Sequence, residues 1–211
     1  MVGSLLWTGP ADGRVLLLAH GAGAAMDSPW LEAMSELLAA RGIRVARFEF
    51  DYMAARRGGV RRPPPKADKL LDEYREAVLI AVGNAGAPVA IGGKSMGGRV
   101  ATMVADGLAD EGLVDGVVCF GYPFHPPGSP DKLRTAHLLE LRTPLLIVQG
   151  TRDPFGRRDE VASYGLPQTI ETLWLEDGEH ELRPRSKVTG ITHAEHLAAA
   201  ADAAARFLSS L

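Results

Sequence analysis

The stretch from Ile91 to Val100, IGGKSMGGRV, supports two incompatible interpretations of the chain. Its Gly93-Lys94-Ser95 triplet matches the end of a phosphate-binding loop, G-x-x-x-x-G-K-[ST]. The five residues from Gly93 to Gly97 also match G-x-S-x-G, the sharp turn that presents a nucleophilic serine between a strand and a helix. The first interpretation predicts a nucleotide-binding protein, and the second predicts an enzyme that transfers acyl groups.

The residues before this stretch favour the nucleophilic turn. A phosphate-binding loop needs a glycine five positions before Gly93, where backbone N–H groups would wrap the phosphates, but that position is Pro88. Val89 to Gly92 form a short apolar run, which is typical of a buried parallel strand. A strand that runs almost to Ser95 fits the nucleophilic turn, and a glycine-rich turn with an uninvolved serine remains the alternative.

Bulk composition restricts the classes of protein to consider. With 211 residues, 46% of them hydrophobic and 23% charged, the chain can fold as one globular domain over residues 1–211. A net charge of −3 predicts no binding to nucleic acid or to an anionic membrane. Cys119 is the single cysteine, which excludes an intrachain disulfide and suits a reducing compartment. Without a secretory leader or an apolar run of about 20 residues, we expect a cytoplasmic protein.

Strand-like and helix-like segments alternate along the chain. The predicted strands are Arg14 to Ala19, Arg44 to Phe50, Val89 to Gly92, Val114 to Phe120, Pro144 to Gly150 and Thr169 to Leu175. The predicted helices are Pro29 to Ala40, Ala67 to Val82, the segment after Ser95 and His193 to Leu211. This alternation predicts an α/β fold, in which helices cover both faces of a doubly wound, mainly parallel sheet. Ligands of such sheets bind at the carboxyl ends of the strands, and no insertion is long enough to form a large cap.

The ends of later strands provide the partners that a nucleophilic serine needs. Asp153 follows the apolar run PLLIVQG and His180 follows TIETLWL, so the chain order is Ser95, Asp153, His180. We expect His180 to remove the hydroxyl proton and Asp153 to orient the imidazole. Asp177 is a rival acid, although it precedes His180 in the same loop. The rival bases are His20, His125, His137, His193 and His196.

Acyl transfer also needs backbone N–H groups that stabilise an oxyanion. The first is predicted at Met96, directly after the serine. The second is predicted in the loop His20-Gly-Ala-Gly23, at Ala22 with Gly23 as the alternative. No spacing of His, Cys or Asp residues predicts a metal site, and we expect no cofactor.

Aromatic and basic residues follow two of the predicted strands and could line a substrate pocket. We predict substrate contacts for Tyr52, Phe124 and His125. The arginine-rich segment from Arg56 to Arg62 could bind a carboxylate or a phosphate, because a guanidinium group binds such anions bidentately. A solvated basic loop is the alternative for this segment.

Six motifs of the chain together resemble a known group of enzymes. They are LLLAHGAG, RFEFDYM, GGKSMGGR, CFGYPFHPPG, VQGTRDPFG and WLEDGEHEL. Essentially the whole chain is similar to the small α/β-hydrolases of the dienelactone-hydrolase-like group, and within it to a subgroup of testis-expressed and chromatin-complex-associated hydrolase-like proteins. The resemblance implies that Ser95, Asp153 and His180 form a catalytic triad. The chain departs from the subgroup at Asp51, where a proline is expected.

The residues and the resemblance together predict a serine hydrolase that cleaves esters or thioesters of small to medium substrates through an acyl-enzyme. The expected partner is the small-molecule ester or thioester, with neither nucleic acid nor a membrane, and the oligomeric state stays open. One alternative is a non-catalytic interaction module that retains the fold. The other is a nucleotide-binding protein, which Pro88 disfavours.

Overall fold

A seven-stranded sheet forms the centre of the computed structural model, which describes residues 3–211. The strands are β1 (Leu6–Thr8), β2 (Arg14–Ala19), β3 (Ile43–Phe48), β4 (Val89–Lys94), β5 (Val114–Phe120), β6 (Leu145–Gly150) and β7 (Ile170–Leu175). Their order across the sheet is β1-β3-β2-β4-β5-β6-β7. Every neighbouring pair is parallel except β1 with β3. Strand β4, which leads to Ser95, therefore lies in the middle of the sheet between β2 and β5.

Helices connect these strands. The α-helices are α1 (Pro29–Ala39), α2 (Asp51–Arg57), α3 (Leu71–Ala85), α4 (Met96–Asp110), α5 (Arg158–Val161), α6 (Ser186–Thr189) and α7 (His193–Ser209). Short 3-10 helices span Ala67–Lys69 and Ala136–Glu140. No helix within residues 3–211 is long and apolar enough to cross a membrane.

The sheet is buried on both faces because successive strand residues point to opposite sides. In β2, Leu17 and Ala19 pack in the cluster that includes buried residues of α3 and α4. Leu16 and Leu18 pack in the opposite cluster, which includes buried residues of α1 and α7. The predicted α/β fold with a doubly wound, mainly parallel sheet is therefore confirmed. Within residues 3–211 no insertion forms a large cap, as predicted.

Several elements differ from the sequence prediction, among them β1 and α2. Strand β1 was not predicted; it has only three residues and pairs antiparallel with β3 at the sheet edge. The predicted strand from Arg44 to Phe50 ends at Phe48, and α2 begins at Asp51 where a loop was expected. The apolar residues of this segment do not recur at helical spacing, so the sequence did not predict a helix. The helix is stabilised instead by Tyr52 and Met53, which are buried against the core.

Candidate active site

Ser95 lies in a strained turn between β4 and α4. Its φ of 52° and ψ of −116° are unusual for a residue with a side chain, and strain of this kind concentrates at functional sites. Its backbone N–H donates to Phe120 O at 3.0 Å, which ties the turn to the end of β5. The phosphate-loop alternative is excluded, because the backbone before Ser95 is a strand paired with β2 and β5 rather than a loop.

Two glycines allow this turn to pass close to the end of β2. A Cβ atom at Gly93 would lie 2.6 Å from Ala19 O, and one at Gly97 would lie 2.5 Å from the same oxygen. Real side chains do not tolerate such distances to backbone. The G-x-S-x-G pattern is therefore a steric requirement of the turn in this structure.

A continuous series of hydrogen bonds connects Ser95 to a buried carboxylate. His180 Nε2 lies 2.9 Å from Ser95 Oγ, and His180 Nδ1 lies 2.8 Å from Asp153 Oδ2. A carboxylate can only accept, so Nδ1 carries the proton that it donates to Asp153. Nε2 is then the acceptor for the serine hydroxyl, which is the arrangement that a general base requires.

The carboxylate of Asp153 is fixed by its surroundings. The residue is 0% exposed, and it accepts hydrogen bonds from Phe155 N at 2.9 Å and Gln149 Nε2 at 3.0 Å. The ring of Phe155 also packs on the imidazole of His180, with 4.2 Å between the ring centroids. These contacts hold both partners of the serine in one orientation. Gln149 and Phe155 were not predicted, because nothing in the sequence distinguishes them from other strand and loop residues.

Asp177, the rival acid, is bound elsewhere. Its carboxylate accepts from Arg152 Nε at 3.2 Å and forms an ion pair with the guanidinium of Arg185. Hydrogen bonds from Arg185 hold the pKa of Asp177 well below its usual range. The structure therefore does not bring Asp177 to the ring of His180.

The five rival histidines also have other partners. His20 is buried, and its Nε2 accepts from Phe50 N at 3.1 Å while its Nδ1 donates to Gly21 O at 2.7 Å. Burial lowers the pKa of His20, and the geometry makes it a support for the end of β2. The ring nitrogens of the other four have these contacts: His125 with Pro126 O, His137 with Thr102 Oγ1, His193 with Glu181 O and His196 with Leu182 O.

The predicted oxyanion donors Met96 and Ala22 line one cavity together with Ser95. Met96 is the first residue of α4, so its N–H has no acceptor within the helix and lies at the positive end of the helix dipole. Ala22 is held in place by Tyr52, whose hydroxyl donates to Ala22 O at 3.0 Å. The two residues can therefore present N–H groups to an anionic oxygen next to Ser95.

Two cavities open on Ser95. The larger, of about 450 Å³, lies beside α4; its lining includes Pro64, Ala67, Met96, Arg99, Arg134 and Phe155. The smaller, of about 300 Å³, lies on the side of His180; its lining includes Gly23, Trp30, Leu31, Lys94, His180 and Glu181. Ser95 and Ala22 line both cavities, so a substrate bonded to Ser95 can extend in two directions.

The predicted substrate contacts do not line either cavity. Tyr52 is buried and binds the carbonyl of Ala22 instead. Phe124 is 0% exposed and packs on Tyr122, with 4.8 Å between the ring centroids. His125 is 2% exposed, with Nε2 3.5 Å from the carboxylate of Glu160. The prediction is corrected for all three, because these side chains turn into the protein interior rather than towards Ser95.

The arginine-rich segment is also not in the cavities. Arg57 forms ion pairs with Glu49 at 2.7 Å and Asp27 at 2.9 Å. Arg56 donates to Arg62 O at 3.4 Å. The arginines that line a cavity together with Ser95 are instead Arg99 and Arg134. Arg99 follows the serine by one helical turn, and this spacing could have identified it from the sequence.

Lys94, directly before the serine, is buried and paired. Its Nζ lies 3.2 Å from Glu181 Oε1 and 5.6 Å from the ring centroid of Trp30. Burial lowers the pKa of Lys94, and Glu181 opposes this effect. The pair connects β4 to the loop that carries His180. Within residues 3–211, no group of His, Cys, Asp and Glu side chains could hold a metal ion.

The chain is similar in sequence to a known family and in structure to solved enzymes. The family described as Alpha/beta hydrolase domain matches residues 12–209. A dienelactone hydrolase from Anabaena variabilis superimposes with a TM-score of 0.73 at 19% identity, over 97% of this chain and 89% of that one. An alpha-beta serine hydrolase homologue from Coxiella burnetii gives a TM-score of 0.70 at 15% identity, over 96% and 89%. Est1E from Butyrivibrio proteoclasticus, solved with ferulic acid bound, gives 0.64 at 13% identity, over 93% and 92%. At these identities the structures establish a common fold.

Proposed function

The chain belongs to the alpha/beta hydrolase family, and from that premise we propose that it is a serine hydrolase that cleaves esters or thioesters of small to medium substrates. The observation that carries the proposal is the series of hydrogen bonds from Ser95 Oγ to His180 Nε2 and from His180 Nδ1 to Asp153 Oδ2, at 2.9 and 2.8 Å. Serine is a weak nucleophile without such a base and orienting acid. A serine hydrolase homologue among the structural neighbours supports the same chemistry.

The proposed reaction has two halves. Ser95 Oγ attacks the carbonyl carbon while His180 Nε2 takes the hydroxyl proton, and the N–H groups of Met96 and Ala22 stabilise the oxyanion. The proton then passes from His180 to the departing alcohol or thiol, which leaves an acyl-enzyme. Water attacks this ester with His180 again as the base, and the acid and free Ser95 are released. Asp153 keeps the imidazole in the required tautomer and stabilises the imidazolium form.

The positions of the two cavities suggest which part of the substrate each one takes. His180 has to protonate the leaving group, so the leaving group belongs in the cavity that His180 lines. The acyl group then extends into the larger cavity beside α4, which Met96 lines. This assignment makes the smaller cavity, with Trp30 and Leu31, the site for the alcohol or thiol.

The finer classification is part of the proposal. The motifs GGKSMGGR and WLEDGEHEL support the subgroup resembling testis-expressed and chromatin-complex-associated hydrolase-like proteins. The single, fully buried Cys119 suits a reducing compartment and supports a cytoplasmic location.

Replacement of the nucleophile tests the proposal directly. Ser95→Ala should lower the hydrolysis of 4-nitrophenyl acetate by about 10⁴-fold or more, because the remaining groups cannot form the acyl-enzyme. His180→Ala and the double variant should be similarly inactive, since the residues act as a unit. A fluorophosphonate probe should label the wild type and the exposed-serine control Ser186→Ala, but not Ser95→Ala. A Ser95→Ala protein that retains most of the wild-type rate would overturn the proposal in favour of a non-catalytic module.

A further inference from the structure

The larger cavity contains two arginines that face the substrate space. Arg99 lies one turn after Ser95 on α4, and Arg134 comes from the segment that follows β5; both line the cavity with Ser95. Lys66 and Asp68 also line it, and both are exposed. The formal charge of this lining is therefore positive, with three cationic side chains and one carboxylate.

Neither guanidinium has an anionic partner. No carboxylate of residues 3–211 forms an ion pair with Arg99 or Arg134, and Arg99 Nε is buried without a hydrogen-bond acceptor. Among residues 3–211, Arg134 forms hydrogen bonds only through its backbone, to Phe124 O and from Tyr122 Oη. Other arginines of the chain are paired, among them Arg57 with Glu49 and Arg185 with Asp177. Half-buried guanidinium groups without partners are unusual, because desolvation of an unpaired charge is unfavourable.

Apart from the exposed Asp68, which forms no ion pair with either arginine, the described groups next to the pair are neutral. His137 contacts Thr102 Oγ1 at 2.9 Å and Tyr122 Oη at 3.3 Å, and burial followed by the charge of Arg99 lowers the pKa of His137 to about 4. The groups behind the arginines are thus uncharged near neutral pH. Burial, and then the proximity of Arg99, lowers the pKa of Arg134 as well. The two cations therefore repel each other, and a bound anion would relieve this repulsion.

We propose that the substrate carries a second acidic group on its acyl part, a carboxylate or a phosphate, which Arg99 and Arg134 bind in the larger cavity. The inference rests on the proposed function, since it uses the assignment of the acyl group to this cavity. A planar guanidinium group binds either anion through two parallel hydrogen bonds, and two such groups next to Ser95 would select anionic acyl chains over neutral ones. The leaving-group cavity has no comparable free charge, because its Lys94 is paired with Glu181.

Three esters of matched length test this selectivity. The first is mono(4-nitrophenyl) adipate, and the second is its methyl-capped counterpart, which has the same chain without the charge. The third is the 4-nitrophenyl ester of 5-phosphonopentanoic acid, which replaces the carboxylate by a phosphonate. The wild type should prefer at least one anionic ester to the capped one in kcat/KM, and the better of the two anionic esters identifies the acidic group. The preference should weaken with added salt.

Variants of the arginines connect the preference to the cavity. Arg99→Gln and Arg134→Gln should each lower kcat/KM for the preferred anionic ester about tenfold more than kcat/KM for the capped ester, mainly through KM. Arg99→Lys should retain part of the preference, because it keeps the charge but loses the planar fork. Arg62→Gln is the matched control: it removes one positive charge from an exposed arginine that lines neither cavity.

A binding measurement separates failure of this inference from failure of the proposed function. Titration of Ser95→Ala with monomethyl adipate, dimethyl adipate or methyl 5-phosphonopentanoate requires no turnover. An anionic ligand should bind more tightly than the neutral diester, and Arg99→Gln in the same background should abolish the difference. Equal binding of all three ligands, or an anion preference that survives both arginine replacements, would overturn the inference even if the esters are hydrolysed. Absence of Ser95-dependent hydrolysis together with arginine-dependent anion binding would overturn only the proposed function.

Discussion

The two cavities beside Ser95 each contain positive charge, which is buried in the smaller cavity and half-buried in the larger, and only the smaller cavity pairs it with a carboxylate. In the smaller cavity, Lys94 has Glu181 at 3.2 Å and the ring of Trp30 at 5.6 Å. In the larger cavity, Arg99 and Arg134 have no carboxylate partner among residues 3–211. A paired cation mainly holds the protein together, whereas an unpaired one is available to a ligand. We therefore expect the leaving-group side to select by shape and the acyl side to select by charge.

The strongest expected effect concerns the residues between the cavities. Asp153→Asn should lower kcat by about 10⁴-fold, because an amide favours the wrong tautomer of His180. The loss should be the same for neutral and anionic esters, since Asp153 touches neither cavity wall. Steady-state kinetics with the capped and the free adipate esters measures it.

Asp177→Asn is the matched control for this replacement. Asp177 binds Arg152 and Arg185 rather than His180, so kcat should change by less than about threefold. A larger loss of kcat at Asp177 than at Asp153 would reverse the assignment of the acid. A loss at Asp153 that depends on the charge of the ester would contradict the separation of catalysis from recognition.

A smaller effect should distinguish the two cavities by shape. Trp30→Ala removes an aromatic wall from the smaller cavity and should raise KM for 1-naphthyl butyrate about tenfold relative to ethyl butyrate. Trp7→Ala, on β1 and outside both cavities, is the control. If Trp30→Ala instead changed the preference among acyl chains with a common leaving group, the two cavities would have to exchange roles.

The smallest expected effect is a pH dependence of stability from His137, behind the arginine pair. Its pKa is about 4 in the folded protein and about 6.5 in the unfolded chain. Between these values only the unfolded chain binds the proton, so stability that is present above pH 6.5 is lost as the pH falls towards 4. Because the ring is partly exposed, the loss should be only about 1–2 kcal/mol.

Urea unfolding at pH 7.5 and pH 4.5 measures this pH-dependent loss of stability. His137→Asn should reduce the difference in the free energy of unfolding between pH 7.5 and pH 4.5. The effect of the replacement at pH 7.5 alone reports the loss of the hydrogen bonds of His137. Saturating adipate should also reduce the difference if its carboxylate approaches Arg99, because a nearby anion raises the pKa of the imidazole. An identical pH difference in wild type and variant would show that the pKa of His137 is not lowered in the folded protein.

Much of the fold could be predicted because its signals are local. The apolar runs of β2, β4, β5, β6 and β7 are long enough to identify buried strands. The exceptions have few local signals: β1 is only three residues long, and α2 forms because Tyr52 and Met53 are buried in the core. Their stability comes from contacts with distant parts of the chain, which no window of sequence contains.

The candidate site also contains residues that the sequence could identify, whereas other residues predicted from the same signal lie outside it. Ser95, Asp153 and His180 could be selected because each follows a strand, and parallel strands end at the same edge of the sheet. Tyr52, Phe124 and His125 also follow strand ends, yet their side chains are buried away from Ser95. A position directly after a strand places a residue near the carboxyl-terminal edge of the sheet, but the direction of its side chain depends on local packing.

By itself the sequence predicted the sharp turn at Ser95, because Gly93 and Gly97 flank a serine that follows an apolar run. It also determined the chain order of the three candidate catalytic residues. Only the tertiary structure decided which cations are neutralised. Lys94 and Glu181 are far apart in the chain and 3.2 Å apart in space, whereas Arg99 and Arg134 line one cavity and form no ion pair with a carboxylate of residues 3–211. The physical reason is that a Coulomb interaction depends on the distance between two charges and on their burial. Both quantities are set only when the folded sheet brings the strand ends together, so they cannot be read from the order of residues.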